Sequence, residues 1–331
     1  MGYTGLFPSL ILLMCILAVP AFSPELYAGE APSAFSVRWE NDAFGGTDAN
    51  YTNGMSLALT RPGGGILGGV WDLFGDTVGR RYATYELGQL QFTPTDLDRT
   101  DPDPNDRPYV GFLYLGLTTY LQRPESLHGV KLFVGVVGPV SMSEAAQETA
   151  HHVLGDKKPL GWAYQLKNEP IVNLLYEYRH KFTLTPRDTL ISVDLIPMGG
   201  AMLGNFLIQA QVDAQLRIGY HLPGDFGTTS LRGIGYLPFP QDDVTTSSWG
   251  IYAFAGYGAN LVARNITLDG NSFAHSRSVD RRLFLPAAEF GGSFWTTSFQ
   301  TTFSYIMWGK EFYGQPERED FASILFTYFI R

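Results

Sequence analysis

Ile208-Gln209-Ala210-Gln211-Val212-Asp213-Ala214-Gln215-Leu216-Arg217-Ile218 is the stretch that decides the fold. The even-numbered residues are all apolar, and the odd-numbered ones, Gln209, Gln211, Asp213, Gln215 and Arg217, are all polar. A helix would scatter those polar groups around its axis, whereas a strand places them on one face. Ile171–Phe182 repeats the pattern. Val172, Leu174, Tyr176 and Tyr178 alternate with Asn173, Glu177, Arg179 and Lys181, and Leu175 is the apolar exception. These strands are about twice the length usual in soluble sheets. That length, with Tyr and Phe near the strand ends, fits a transmembrane barrel better than a soluble sandwich with one wet face.

Composition agrees with a barrel. Of 331 residues, 45% are hydrophobic and 14% aromatic, and only 17% are charged, against about 25% charged in ordinary globular chains. Leu10–Val19 is an apolar run of signal-peptide length, followed by small residues at Ala21 and Ala28. No Lys or Arg precedes it. We therefore expect residues 1–28 to be a signal peptide and 29–331 one barrel domain. Cys15 is the only cysteine, so the mature chain is expected to lack thiol chemistry and disulfides. The net charge of −9 does not suit a nucleic-acid binder.

Beyond the leader no apolar stretch reaches the about 20 residues of a spanning helix. Twelve strand candidates begin near Ala34, Asn53, Tyr82, Tyr109, Gly129, Ile171, Asp188, Asn205, Ser248, Leu283, Thr296 and Asp320; the tenth is interrupted by Pro286. The expected fold is all-β, a transmembrane antiparallel barrel of twelve strands in the bacterial outer membrane. With both termini in the periplasm, the connections after odd-numbered strands face outward.

Polar motifs gather in those outward connections. In the first strand Phe35, Val37 and Trp39 should face lipid, and Ser36, Arg38, Glu40 and Asp42 the lumen. Thr52 falls on the inward parity of the second strand, so Asp42 and Thr52 can meet inside the rim. Short oxygen ligands of this kind suit Ca²⁺; an Asx or Thr turn closing the loop is the equal alternative. The insertion after strand five, about Gly138 to Pro170, should hold a short helix. Ser141 to Glu144 has capping-box spacing and Gly155 is a stop. Gln147 and His151 would share one face of this helix, and Glu148 and His152 the next. An imidazole there can act as a general base, or the helix can be a solvated loop whose histidines do nothing. Trp162 reads as a packing or interface residue. No Gly-x-Ser-x-Gly elbow occurs, so in an enzyme water would be the nucleophile.

Taken together, Trp39–Phe44, Thr47–Gly54, Asp106–Tyr109 and Gln147–Pro170 resemble the outer-membrane lipid A 3'-O-deacylase family. The resemblance implies a twelve-stranded monomeric barrel that hydrolyses the 3'-acyloxyacyl ester of lipid A in the outer leaflet, with Ca²⁺ dependence. It implies His151 as the base that takes a proton from water, and Asp42 as the residue beside Ca²⁺. Gln147 and Asn41 would orient base or substrate. Thr52 matches the family's loop threonine. Arg99, where the family has a lysine, and Arg107 would meet lipid A phosphate or acidic sugar. The family's acidic residue after the helix falls near Lys157, a departure, with Asp156 next to it. A non-enzymatic pore or scaffold, with Glu177, Arg179, Lys181, Asp213 and Arg217 lining its lumen, and an outer-membrane phospholipase are the competing readings.

Overall fold

A computed structural model describes residues 33–42, 50–73, 75, 78–155, 157–186, 189–229, 233, 235–236 and 248–330. The expected signal peptide, the loop residues Ala43, Phe44 and Thr47–Ala49, and Asp156 lie outside these.

Twelve long antiparallel strands form the barrel: β1 Ser33–Asn41, β2 Asn50–Pro62, β3 Arg80–Thr93, β4 Val110–Gln122, β5 Ser126–Val137, β6 Glu169–His180, β7 Ile191–Gly204, β8 Leu207–Tyr220, β9 Trp249–Asn265, β10 Phe284–Thr296, β11 Phe299–Trp308 and β12 Glu319–Ile330. A two-residue piece, Phe182–Thr183, continues β6 along β7. Each strand pairs with its sequence neighbours, and β1 pairs with β12 from Ser33↔Ile330 to Asn41↔Ala322. The sheet therefore closes with no free edge, as backbone groups in hydrocarbon require.

The period-two reading holds in detail. Phe35, Trp39, Val172, Leu174, Val212, Leu216 and Ile218 are exposed on the wall, while Arg38, Glu40, Asn173, Glu177, Arg179, Gln215 and Arg217 are buried inside. β10 runs through Pro286, which pairs with Ala259 near the strand end. Pro197 sits where the ladder to β6 is interrupted, between Arg179↔Met198 and Phe182↔Leu195 in one register, a gap that accommodates its missing N–H.

Much of the lumen is filled by described residues. Toward the rim that carries the strand termini Ser33 and Ile330, the connection after β8 folds inward. Arg179 donates to the Phe226 and Thr228 carbonyls, both at 2.7 Å. Arg217 pairs with Asp194 at 2.7 Å and with Asp225, and Tyr236 hydrogen-bonds Ser56 and accepts from Tyr120. At the opposite rim Tyr51 meets Phe92, Trp308 and Phe321 with ring centroids 5.3, 5.9 and 5.0 Å apart. Between the two layers lies a cavity of about 120 Å³, lined by Glu177, Asp213, Gln211, Asn260 and Glu289 and by apolar side chains such as Met198 and Leu285.

Candidate active site

The β5–β6 insertion carries the longest helix among the described residues, α2 (Ser143–Leu154), after the single turn α1 (Val70–Leu73) between β2 and β3. The expected capping box is absent. Met142 is the N-cap, in the left-handed region at φ 59°, with no side-chain cap bond, and Ser141 closes a preceding 3₁₀ turn. The Ser141 hydroxyl is drawn instead to Ser143 at 3.1 Å, under the barrel wall. The expected stop is present: Gly155 has φ 80°, and its N–H bonds to the His151 carbonyl.

Ser143, Gln147 and His151, at i, i+4 and i+8, form the buried stripe of α2. Those residues are polar, whereas Met142 and Val153 beside them are exposed. A helix packed on a soluble core has the reverse arrangement. β3 and β4 hold this polar stripe. Gln89 donates to the Ser141 carbonyl at 2.7 Å, and Gln91 to the Ser143 carbonyl at 3.3 Å. Gly111 of β4 leaves room for both serines.

His151 Nδ1 lies 2.6 Å from the Lys157 carbonyl oxygen. A carbonyl only accepts, so Nδ1 carries the proton, and in the neutral ring Nε2 has the lone pair. The residue that departs from the family pattern thus orients the imidazole through its backbone. Its side chain turns outward to Asp98 at 2.6 Å, a bond that holds the ammonium above the usual lysine pKa. Lys158 is likewise raised by its bond to Glu148. Glu148 is thereby engaged at the surface, and His152 is exposed. Gln147 accepts from the Trp162 indole N–H at 2.7 Å. Trp162 packs on Tyr109, with centroids 4.9 Å apart.

The second group of residues lies at the ends of β1 and β2. Asn41 pairs with Asn53 in register and donates to the Thr52 carbonyl at 3.0 Å. Asp42 is one residue further along and buried. A bulge between Asn50 and Asn53 turns both Tyr51 and Thr52 inward, which simple alternation did not anticipate. Thr52 Oγ1 meets Thr93 Oγ1 of β3 at 2.5 Å. Thr93 is two residues from Gln91, the anchor of α2, so β3 links the Asn41–Thr52 group to the helix. Among the described residues no three His, Cys, Asp or Glu side chains converge on a metal position. The buried carboxylate of Asp42, at the end of β1 next to Asn41, is a hard oxygen donor that fits Ca²⁺ if backbone, water or substrate oxygens supply the rest of the shell.

The two arginines differ. Arg99 is half-exposed on the β3–β4 connection, 3.5 Å from Asp103, and the Asp98–Lys157 pair fixes that connection beside the segment after α2. Arg107 is fully buried. Its guanidinium donates to Glu311 at 3.0 Å and Thr267 at 2.9 Å, and stacks 4.9 Å from the Phe92 ring. It ties three outward connections together, and a phosphate contact would require breaking those bonds. Thr93, Gln89, Gln91 and the Lys157 carbonyl went unread in the sequence, because each acts through a partner set by the fold.

Closed barrel, inverted helix and oriented imidazole define a bacterial outer-membrane β-barrel protein with a built site at one rim. The model of the family described as "Outer membrane protein LpxR" matches residues 10–330, and the chain belongs to that family. Among solved structures, LpxR from Salmonella typhimurium superposes with a TM-score of 0.74 at 18% identity, over 90% of this chain and 100% of that one. The β domain of the Bordetella autotransporter BrkA gives 0.44 at 10% identity, over 91% and 98%. No curated protein sequence matches.

Proposed function

We propose that this protein is an esterase that removes the 3'-linked acyloxyacyl chain of lipid A in the outer leaflet. The observation that carries the reading is the His151–Lys157 carbonyl bond at 2.6 Å, on a helix face that also buries Gln147. It fixes Nδ1 as the protonated nitrogen and leaves Nε2 as the position for a general base. Membership of the LpxR family supports it.

In this mechanism His151 Nε2 takes a proton from water as the water oxygen bonds to the ester carbonyl carbon. The bond from that carbon to the sugar 3' oxygen then breaks, and His151 returns the proton to that oxygen. The products are the free acyloxy acid and a 3'-hydroxyl. Gln147 and Asn41 orient the base or the acyl carbonyl, and Thr52 holds the β2 end in place. Arg99 is placed to meet phosphate or acidic sugar. Ca²⁺ held near Asp42 would polarise the ester carbonyl. The exposed Met142, Val153, Leu160 and Tyr164 give acyl chains an apolar surface beside the site. We expect the enzyme to work as a monomer on lipopolysaccharide.

The test is expression in a bacterium that makes fully acylated lipid A, followed by mass spectrometry of the lipid A. Loss of the mass of one acyloxyacyl group, abolished by His151→Ala and retained by His152→Ala, is expected. Unchanged mass with folded, surface-exposed protein would refute the reading. Fatty acid released from phospholipid instead would indicate a phospholipase.

A further inference from the structure

The amide of Gln147 has a feature that the scheme above leaves open. The residue is 3% exposed. Its Oε1 takes the Trp162 N–H at 2.7 Å, while its Nε2, equally buried, has no hydrogen-bond partner among the described residues. The two ends of an amide are told apart only by their partners. Indole nitrogen is a donor and never an acceptor, so the atom facing it must be the oxygen. The orientation of this amide is thus dictated by Trp162. Trp162 is itself held by Tyr109 and by the 3₁₀ turn Trp162–Tyr164. A buried N–H without an acceptor is uncommon in native proteins, because its lost hydration is not replaced. Such a group is left for an ordered water or for an acceptor that arrives with a ligand.

We infer that Trp162 is a positioning residue for the proposed hydrolysis, one that locks Gln147 so that Nε2 donates to the acyl carbonyl oxygen of the substrate. This rests on the esterase reading and deepens it. Nε2 and the His151 ring sit one helical turn apart on the same buried stripe, so the donor and the base approach one ester from one side. A donor aimed where oxyanion charge develops acts mainly on kcat rather than on substrate binding. Were the amide free to turn over, its oxygen would face that charge for part of the time and repel it.

The experiment combines kinetics with one signal that does not depend on turnover. Wild type, Trp162→Phe, Gln147→Glu, Gln147→Ala and the Trp162→Phe/Gln147→Ala double variant are purified folded in micelles and assayed on hexa-acylated lipid A. Gln147→Glu keeps an acceptor for the indole and removes the donor. The expected result is a fall in kcat of about 10²–10³-fold for both Gln147 variants, and about 10-fold or more for Trp162→Phe with KM changed less than about twofold. The double variant should be no slower than Gln147→Ala, since Trp162 acts through that amide. The Trp162 indole ¹⁵N–¹H resonance should shift in Gln147→Ala and persist near its wild-type position in Gln147→Glu. An active Gln147→Glu variant would overturn the donor role. Additive losses in the double variant, or a Trp162→Phe loss confined to KM, would overturn the positioning role even with the indole shift as expected. A folded wild type with the expected indole shift but no deacylation would instead remove the esterase reading on which the role depends. If Trp162→Phe fails to fold, the Gln147→Glu rate and the indole shift still decide the case.

Discussion

Gly111→Ala tests whether the docking of α2 is what builds the site. A β-carbon at Gly111 would stand 2.2 Å from Ser141 Oγ, 2.2 Å from Ser143 Oγ and 2.3 Å from Ser143 Cβ. The two hydroxyls could rotate away, but the Ser143 β-carbon is fixed to the helix backbone, so α2 has to lift by about an ångström. Overpacking of this size costs about 1–3 kcal/mol. Lifting also stretches the Gln89 and Gln91 bonds to the Ser141 and Ser143 carbonyls, each worth about 0.5–1.5 kcal/mol. The strand itself is spared, because Gly111 keeps its place opposite Gln91 in the β3–β4 register. The penalty therefore falls on the docked helix and not on the barrel. A loss of about 1–3 kcal/mol corresponds to an opening equilibrium about 5–150-fold larger. Native-state hydrogen exchange of the α2 amides should accelerate by that factor, while the barrel strands keep wild-type protection. Deacylation should fall in parallel, since His151 travels with the helix. Wild-type exchange in α2, or full activity with an undocked helix, would refute the seating of the His151 face by β3 and β4.

Lys157→Ala should keep near-wild-type activity on lipid A, because His151 contacts the Lys157 carbonyl and not its side chain; a loss comparable to His151→Ala would show that the ammonium takes part. Asp42→Asn, or removal of divalent ions with EGTA, should cut deacylation, and added Ca²⁺ should restore the wild type alone. Replacing residues 223–236 by a short Gly-Ser link should open the lumen and give stepwise conductance in planar bilayers, where the wild type is silent; open conductance of the wild type would contradict the plugged interior. Arg217→Met should strongly lower barrel stability in urea titrations, since it leaves Asp194 and Asp225 buried without their cation, a class of change that costs about 3–5 kcal/mol.

What was legible in the sequence was whatever the backbone period controls. Alternation at Ile171–Phe182 and Ile208–Ile218 gave strand identity and facing, because a barrel wall between lipid and a polar lumen leaves no third option. The i, i+4 spacing put Gln147 and His151 on one face for the same reason. Helix capping went wrong where tertiary contact overruled a local motif: Ser141 has the right spacing to Glu144, yet the β3–β4 wall claims it. The partners of Gln147 and His151 were hidden for a different reason. Each is set by the path of the β5–β6 insertion, which returns Lys157 and Trp162 to the helix, and no local pattern encodes that path. Arg107 shows the limit of motif reading most clearly, since its place in the sequence suggested a phosphate contact and its side chain runs under the rim to Glu311 and Glu319.

The closed lumen and the inverted helix bear on each other. Among the described residues the connection after β8 occupies one end of the lumen and the Tyr51, Phe92, Trp308 and Phe321 rings the other, so the barrel interior is a poor route to the rim site. Whatever reaches His151 arrives from the leaflet or from the solvent above it. A soluble substrate arriving from above would favour a helix with polar residues outward, and Glu144 and Thr149 do face that way. Yet Val140, Met142, Val153, Leu160 and Tyr164 are exposed along the same insertion, and apolar groups held in water at a rim carry a standing cost that burial against acyl chains removes. A substrate with a polar headgroup and several acyl chains satisfies both sets of residues at once, which a small soluble ester does not. If the substrate enters from the leaflet, replacing Met142 and Val153 together by Ser should raise KM for lipid A in membranes while leaving kcat for a short-chain soluble ester unchanged. An equal effect on both substrates would place the entry route elsewhere.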